Sequence, residues 1–144
     1  MRTNSNLAMV GSLVLCALTA AAAAPRQAAD APIAPDLKAR VEQYWTLKQQ
    51  KDLGGMYELY GSAYRAEVSR TDFLAMTRLV RYPILSFAVT GATIDGDRAE
   101  VTVAYETEVP VQNIPRYATD VTHTWVREDG QWWKAEEELL MPVP

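Results

Sequence analysis

Few side chains in this sequence could do acid–base chemistry, and the most informative pair is His123 with Glu137. His123 is the only histidine, and it lies in an alternating segment that a Glu-Asp-Gly turn joins to a second segment. If the two segments form a hairpin, Glu137 lies diagonal to His123, with about 5 to 8 Å between β-carbons. A carboxylate beside an imidazole raises the imidazole's pKa and fixes one tautomer. The pair therefore predicts general acid–base catalysis, with a structural histidine and a solvated glutamate as the alternative.

The hairpin decides which side chains share a face. We expect a three-residue loop at residues 128–130, with Gly130 in the left-handed conformation. This register pairs Arg127 with Gln131, Trp125 with Trp133 and His123 with Ala135. One face, expected to point inward, then carries Val121, His123, Trp125, Trp133, Ala135 and Glu137. A register slip of one residue would exchange the two faces.

Aromatic residues at helical and strand spacing predict an apolar wall around this pair. Candidate ligand-lining residues are Tyr44, Tyr57, Tyr60, Phe87, Tyr105, Trp125 and Trp133. Aromatic residues at such spacing are also typical of a packed core, so both roles stay open.

The opposite face of the hairpin carries Val126 and Trp132, and Trp132 has no predicted core to enter. An exposed tryptophan on a sheet is typical of a partner surface. A homodimer through the outer sheet face is one expectation. Coverage of Trp132 by residues 109–117 or by the C-terminal tail is the other.

Composition excludes several classes of function. The chain has 14 basic and 18 acidic residues, and losing Arg2 with a leader would leave 13 and 18, a formal charge of −5. This balance argues against nucleic acids and anionic membranes as partners. A single histidine excludes a multi-histidine zinc site, and no motif implies a metal or another cofactor.

The first 24 residues have the pattern of a signal peptide. Arg2 precedes an uncharged apolar run over residues 7–24, which ends in small alanines suited to cleavage near Ala24. The alternative is a retained anchor, which the weakly hydrophobic alanines disfavour, so no stable membrane anchor is expected. Cleavage removes Cys16, the only cysteine. We therefore expect a periplasmic or secreted protein without disulfides.

The elements that position these residues follow from hydrophobic periodicity. Residues 25–35 predict a flexible lead-in, and one domain is expected over residues 36–144. Its helices are predicted from Asp36, from Asp52 to Tyr60, and from Thr71 to the residue before Pro83. Alternation then predicts strands at residues 84–94 and 98–109, followed by the terminal hairpin. The order predicts an α+β fold with three helices on a curved four-stranded antiparallel sheet.

This order of elements, the segment over residues 63–73 and the ending over residues 125–134 resemble the nuclear transport factor 2-like superfamily. The resemblance covers roughly residues 36–140 and implies a cone with a cavity at its open end. The superfamily includes ketosteroid isomerases, whose catalytic aspartate has no matching inward position here. Because the same cone hosts enzymes and assembly modules, the resemblance does not fix a function.

Three hypotheses from different classes remain. We favour a non-catalytic extracytoplasmic domain that binds a small, partly apolar or aromatic molecule in the cone, because acid–base groups are sparse. The second is an isomerase, dehydratase or hydrolase that uses His123 and Glu137. The third is an envelope assembly or protein-interaction module whose cavity is filled by its own side chains.

Overall fold

The computed structural model describes residues 32–77, 82–109 and 114–135. Four helices come first: α1 (Pro35–Gln50), α2 (Leu53–Tyr57), α3 (Ser62–Glu67) and α4 (Arg70–Thr77). Four strands follow: β1 (Ile84–Asp95), β2 (Arg98–Val109), β3 (Ile114–Glu128) and β4 (Gln131–Lys134). The predicted leader and most of the predicted lead-in lie outside the described residues, as does Glu137.

Helix α1 supplies the main apolar face that packs on the sheet. Its buried residues, Leu37, Val41, Tyr44 and Trp45, recur at the spacing of one helical face, as predicted. The helix begins at Pro35, one residue before the predicted start, because proline at the first position has its φ preset and lacks an N–H that would go unpaired. It ends where Lys51 adopts a left-handed conformation with φ of 61°.

The short helices between α1 and the sheet are more divided than the sequence predicts. Asp52 caps α2 as expected, since its Oδ1 accepts from the Gly55 N–H at 2.9 Å. Helix α3 was not predicted, so the expectation of three helices was wrong. None of the α3 residues is buried, and it therefore has no apolar periodicity to detect. No described helix combines the length and apolar character needed to cross a bilayer.

The sheet is antiparallel with the order β1-β2-β3-β4, and its two end strands do not meet, so it is open. This confirms the α+β class, with helices followed by a four-stranded antiparallel sheet. The sequence predicted a loop or a bulged strand start over residues 109–117, and the structure agrees with the second. Strand β3 begins at Ile114, includes Pro115, and the β2–β3 register shifts between Thr107 and Val109. Beyond β4, Tyr60 forms a parallel bridge with Lys134, which ties the helical layer to the sheet edge.

The predicted register of the last hairpin is wrong by one residue. The turn contains only Asp129 and Gly130, both with positive φ, of 51° and 77°. Such a two-residue turn matches the twist of the flanking strands better than the longer loop that was expected. The observed pairs are Trp125 with Lys134, Val126 with Trp133, Arg127 with Trp132 and Glu128 with Gln131. This register exchanges the faces of every side chain on β4.

Candidate functional site

The exchange of faces brings Trp132 and Lys134 inward. Trp132 is 3% exposed and packs in the hydrophobic core. Its Nε1 donates to Asp36 Oδ2 at 3.2 Å, and Arg127 lies over its ring at 5.6 Å. The prediction that Trp132 lies on an outer interface was therefore wrong. Val126 is on the outer face, as expected, and shares that face with Trp133.

A polar cluster lies in the core between α1 and β4. It consists of Tyr44, Tyr60, His123 and Lys134, each at most 1% exposed. The two tyrosine hydroxyls are 3.2 Å apart, and Lys134 Nζ lies 5.3 Å from the centroid of each tyrosine ring. We call these four residues the buried polar cluster.

The buried polar cluster contains groups that could act on a ligand. A lysine amine can hydrogen-bond an anion or act as a nucleophile, and tyrosine hydroxyls can donate to an oxyanion. However, a substrate reaches these groups only if the surrounding core opens, because all four are covered. Lys134 was not among the predicted site residues, because the wrong register placed it on the outer face.

His123 is held by aromatic rings. Trp45 stacks on the imidazole at 5.7 Å and an interplanar angle of 21°, and Tyr44 approaches it edge-on at 5.9 Å. The predicted pairing of His123 with Ala135 was wrong, since the Ala135 N–H donates to the Thr124 carbonyl oxygen at 2.9 Å. Glu137 was predicted to lie diagonal to His123 on the basis of that pairing, and Glu137 itself lies outside the described residues.

Most of the aromatic residues predicted to line a pocket are packed into the core. Trp125, Tyr44, Tyr60 and Tyr57 are between 0% and 8% exposed. The rings of Phe87 and Tyr105 lie 5.8 and 5.0 Å from Trp45. Tyr57 and Tyr60 lie 5.4 and 5.3 Å from Phe73. In the part of the chain that the structure describes, these rings therefore fill the space between the helices and the sheet.

Trp133 lies outside this packed core, between two cations. Arg40 and Arg65 lie over its ring at 4.6 and 5.5 Å. Arg40 also donates from Nε to the Trp132 carbonyl oxygen at 3.0 Å, which joins α1 to β4. Burial lowers the pKa of the Arg40 guanidinium from its ordinary value. Trp133 therefore packs at the edge of the helical layer through contacts with these two arginines.

The outer face of the sheet carries a shallow groove of about 380 Å³. Small side chains form much of its lining, and Glu106 and Asp120 provide carboxylates beside them. Cross-strand pairs put six lining residues on this face: Ser86, Ala88, Ala104, Glu106, Ala118 and Asp120. Glu106 accepts from Ser86 Oγ at 2.9 Å and lies 3.6 Å from an Arg116 guanidinium nitrogen. The groove therefore offers a shallow surface with two carboxylates, one of which is paired with an arginine.

A metal centre has no support within residues 32–77, 82–109 and 114–135. No group of three or more histidine, cysteine, aspartate or glutamate side chains in those ranges could hold a metal ion.

Comparison with known proteins gives similarity of fold. No protein-family profile and no curated protein matches the chain. Among solved structures, a SEC-C motif containing protein from Rhodopseudomonas palustris is similar with a TM-score of 0.54 and 16% identity, over 68% of this chain and 73% of that one. A SEC-C motif containing protein from Psychrobacter arcticus is similar with a TM-score of 0.56 and 11% identity, over 79% of this chain and 66% of that one.

These neighbours correct the predicted family. The sequence resembled the nuclear transport factor 2-like superfamily, whereas the similar structures are described as SEC-C motif containing proteins. The prediction was wrong because its signals, helices before a sheet and an aromatic hairpin with an Asp-Gly turn, are shared by many α+β domains. At such low identities the similarity concerns the fold alone.

Proposed function

We propose that this domain is a protein-interaction module that binds its partner on the sheet. The observation that carries the proposal is the packing of the interior by the domain's own aromatic rings. Trp45, Trp125 and Tyr44 are at most 1% exposed and contact one another or the strands beneath them. A filled interior favours a function at the surface of the domain. The predicted leader supports a function outside the cytoplasm.

The outer sheet face is the described surface best suited to a partner. Its groove is lined by alanines at three positions, Ala88, Ala104 and Ala118. Small side chains let another chain approach the backbone closely, and the carboxylates of Glu106 and Asp120 provide polar contacts at the same place. Interfaces typically combine a tightly packed centre with a polar rim, which this face can provide.

Photo-crosslinking in the host cell tests this proposal. We expect benzoylphenylalanine at Ala88 and at Ala118 to yield adducts with the same protein, which mass spectrometry identifies. The matched control is Ala63, an exposed alanine on α3. Adducts at Ala63 alone, or no adduct at either sheet position, would overturn the proposal.

A second candidate function is supported by the buried polar cluster. Lys134 Nζ lies 5.3 Å from the centroids of the Tyr44 and Tyr60 rings, whose hydroxyls are 3.2 Å apart, and this combination of a cation and hydroxyl donors suits a small, partly apolar anion between α1 and β4. Native mass spectra of the protein purified from its host would then show a small molecule that leaves on unfolding. Lys134→Met should lose that molecule and stay folded. A spectrum without such a mass would count against this candidate.

A further inference from the structure

Strand β1 has a long edge that no other described strand covers. It lies at the end of the sheet order and runs over twelve residues, Ile84–Asp95. In an edge strand, alternate residues direct both the backbone N–H and C=O away from the sheet, so they can pair with an added strand. Gln49 Nε2 donates to the carbonyl oxygens of Ile84 and Leu85 at 3.2 and 3.1 Å, and this covers only the start of the edge.

Few of the usual protections against pairing are present on this edge. Natural edge strands are commonly blocked by lysine, proline or inward-pointing charges. Residues 84–94 contain none of these, and the only charged residue of β1 is Asp95 at its end. β-Bulges are a further protection of edge strands, and two register shifts, between Ile84 and Ser86 and between Val89 and Gly91, bend β1. A flexible peptide can follow such a bend more readily than a second rigid sheet.

The two faces beside this edge call for different side chains on an added strand. The inner face presents partly buried apolar residues, Phe87, Val89, Ala92 and Ile94, which an apolar side chain would cover. The outer face presents short side chains, with the β2 carboxylate of Glu106 opposite Ser86 and that of Glu100 opposite Thr93. Strands are about 4.8 Å apart, so a lysine side chain on an added strand can reach across β1 to these carboxylates.

We infer that the β1 edge binds an extended peptide segment that alternates apolar and basic residues. The inference rests on the proposed function, since it names how the sheet takes its partner. Backbone hydrogen bonds to β1 hold the segment, its apolar side chains cover the inner face, and its basic side chains complement the acidic outer face.

A synthetic peptide of about nine residues, alternating valine and lysine, is the probe, because that length matches an ordinary strand. We expect it to shift and protect the amide signals of β1 in nuclear magnetic resonance spectra of the protein. Two control peptides should bind at least about ten-fold more weakly. One alternates valine and glutamate. The other is N-methylated at two consecutive central residues, which removes a donor from each edge.

Charge variants at one exposed position give a matched test in the protein. Ala88 is exposed on the outer face of β1. Ala88→Lys should weaken binding of the valine–lysine peptide about five- to ten-fold, and Ala88→Glu should strengthen it, because both replacements are long and differ in charge. Ala63→Lys, which makes the same charge change on α3, should alter the affinity by less than about two-fold.

The outcomes separate this inference from the proposed function. Equal binding of the N-methylated peptide would overturn the inference and leave a sheet-binding module. So would signals that move at the β2 and β3 residues of the groove, Ala104, Ala118 and Asp120, but not on β1. The absence of binding by the valine–lysine peptide would also overturn it, whatever the crosslinks at Ala88 and Ala118 show. A further outcome is protection of the β1 amides when the protein alone is concentrated, together with a doubled mass in sedimentation. That result would overturn the inference and identify a second copy of the chain as the occupant of the edge.

Discussion

Replacing the two adjacent tryptophans of β4 one at a time tests the hairpin register that organises the core. Trp132 points inward and Trp133 points to the other face. If the register is correct, Trp132→Ala removes a side chain that is 97% covered, since it is 3% exposed. Trp133→Ala removes a partly exposed ring that stacks against two arginines.

The expected loss at Trp132 follows from its burial. A buried tryptophan covers about 150–250 Å², which at about 25 cal/mol per Å² gives an upper estimate of about 4–6 kcal/mol. Core tryptophan-to-alanine changes cost about 3–5 kcal/mol, and we expect a loss in that range. Trp132→Phe isolates the bond from Nε1 to Asp36 Oδ2 at 3.2 Å and should cost about 1 kcal/mol beyond the lost packing. For Trp133→Ala we expect about 1–2 kcal/mol.

Urea denaturation followed by circular dichroism measures these losses, with the slope of the transition checked for each variant. Domains of this kind have about 5–15 kcal/mol of stability, so a loss of about 3–5 kcal/mol is a large and measurable fraction of it. Equal losses at the two positions, or a larger loss at Trp133, would refute the observed register and restore the one in which Trp132 faces outward.

Three further predictions concern the elements that frame the core. Gly130→Ala should destabilise the protein by about 1 kcal/mol in urea denaturation, because its φ of 77° is strained for alanine. Gly91→Ala is the control and should be neutral or stabilising, since nothing lies within 4 Å of the added β-carbon. A similar loss of stability in both variants would contradict the turn geometry. Asp52→Ala should cost about 1 kcal/mol by removing the cap on the Gly55 N–H, and an unchanged melting temperature would argue against that cap. Arg40→Lys should lower the free energy of unfolding by about 1–2 kcal/mol in calorimetry, since lysine cannot reproduce both the hydrogen bond to the Trp132 carbonyl and the stacking on Trp133. Lys38→Met, at an exposed position of the same helix, should change the stability little. Equal effects of the two changes would show that Arg40 does not join α1 to β4.

Long periodic patterns in the sequence predicted their elements well. The apolar face of α1 recurs over several helical turns, and the alternation of apolar and polar residues in β2 recurs over several residue pairs. One atypical residue therefore does not change the predicted type of element. The short helix α3 has no buried residue and therefore no such pattern. Pro115 suggested a loop or a bulged strand start, and it lies near the start of β3, where a proline is tolerated.

The candidate site was harder to predict because it depends on one turn. A two-residue loop at Asp129 and Gly130, which the Asp-Gly pair itself favours, would have predicted both Trp132 and Lys134 on the inner face. A three-residue loop moved both outward and brought Ala135 opposite His123. The packing of Trp45 on His123 and on Tyr105 could not be read from the sequence either, since it depends on how α1 lies on the sheet.

We propose that the interior is filled and that the sheet binds the partner. The most direct test records nuclear magnetic resonance spectra of the protein with each of two added probes. The valine–lysine peptide should move the amide signals of β1 and leave the indole signals of Trp45 and Trp125 in place. Anilinonaphthalenesulfonate, a small apolar anion, should move neither indole signal. Movement of the Trp45 or Trp125 indole by this anion, with β1 unchanged by the peptide, would contradict the account and favour a small-molecule site in the core.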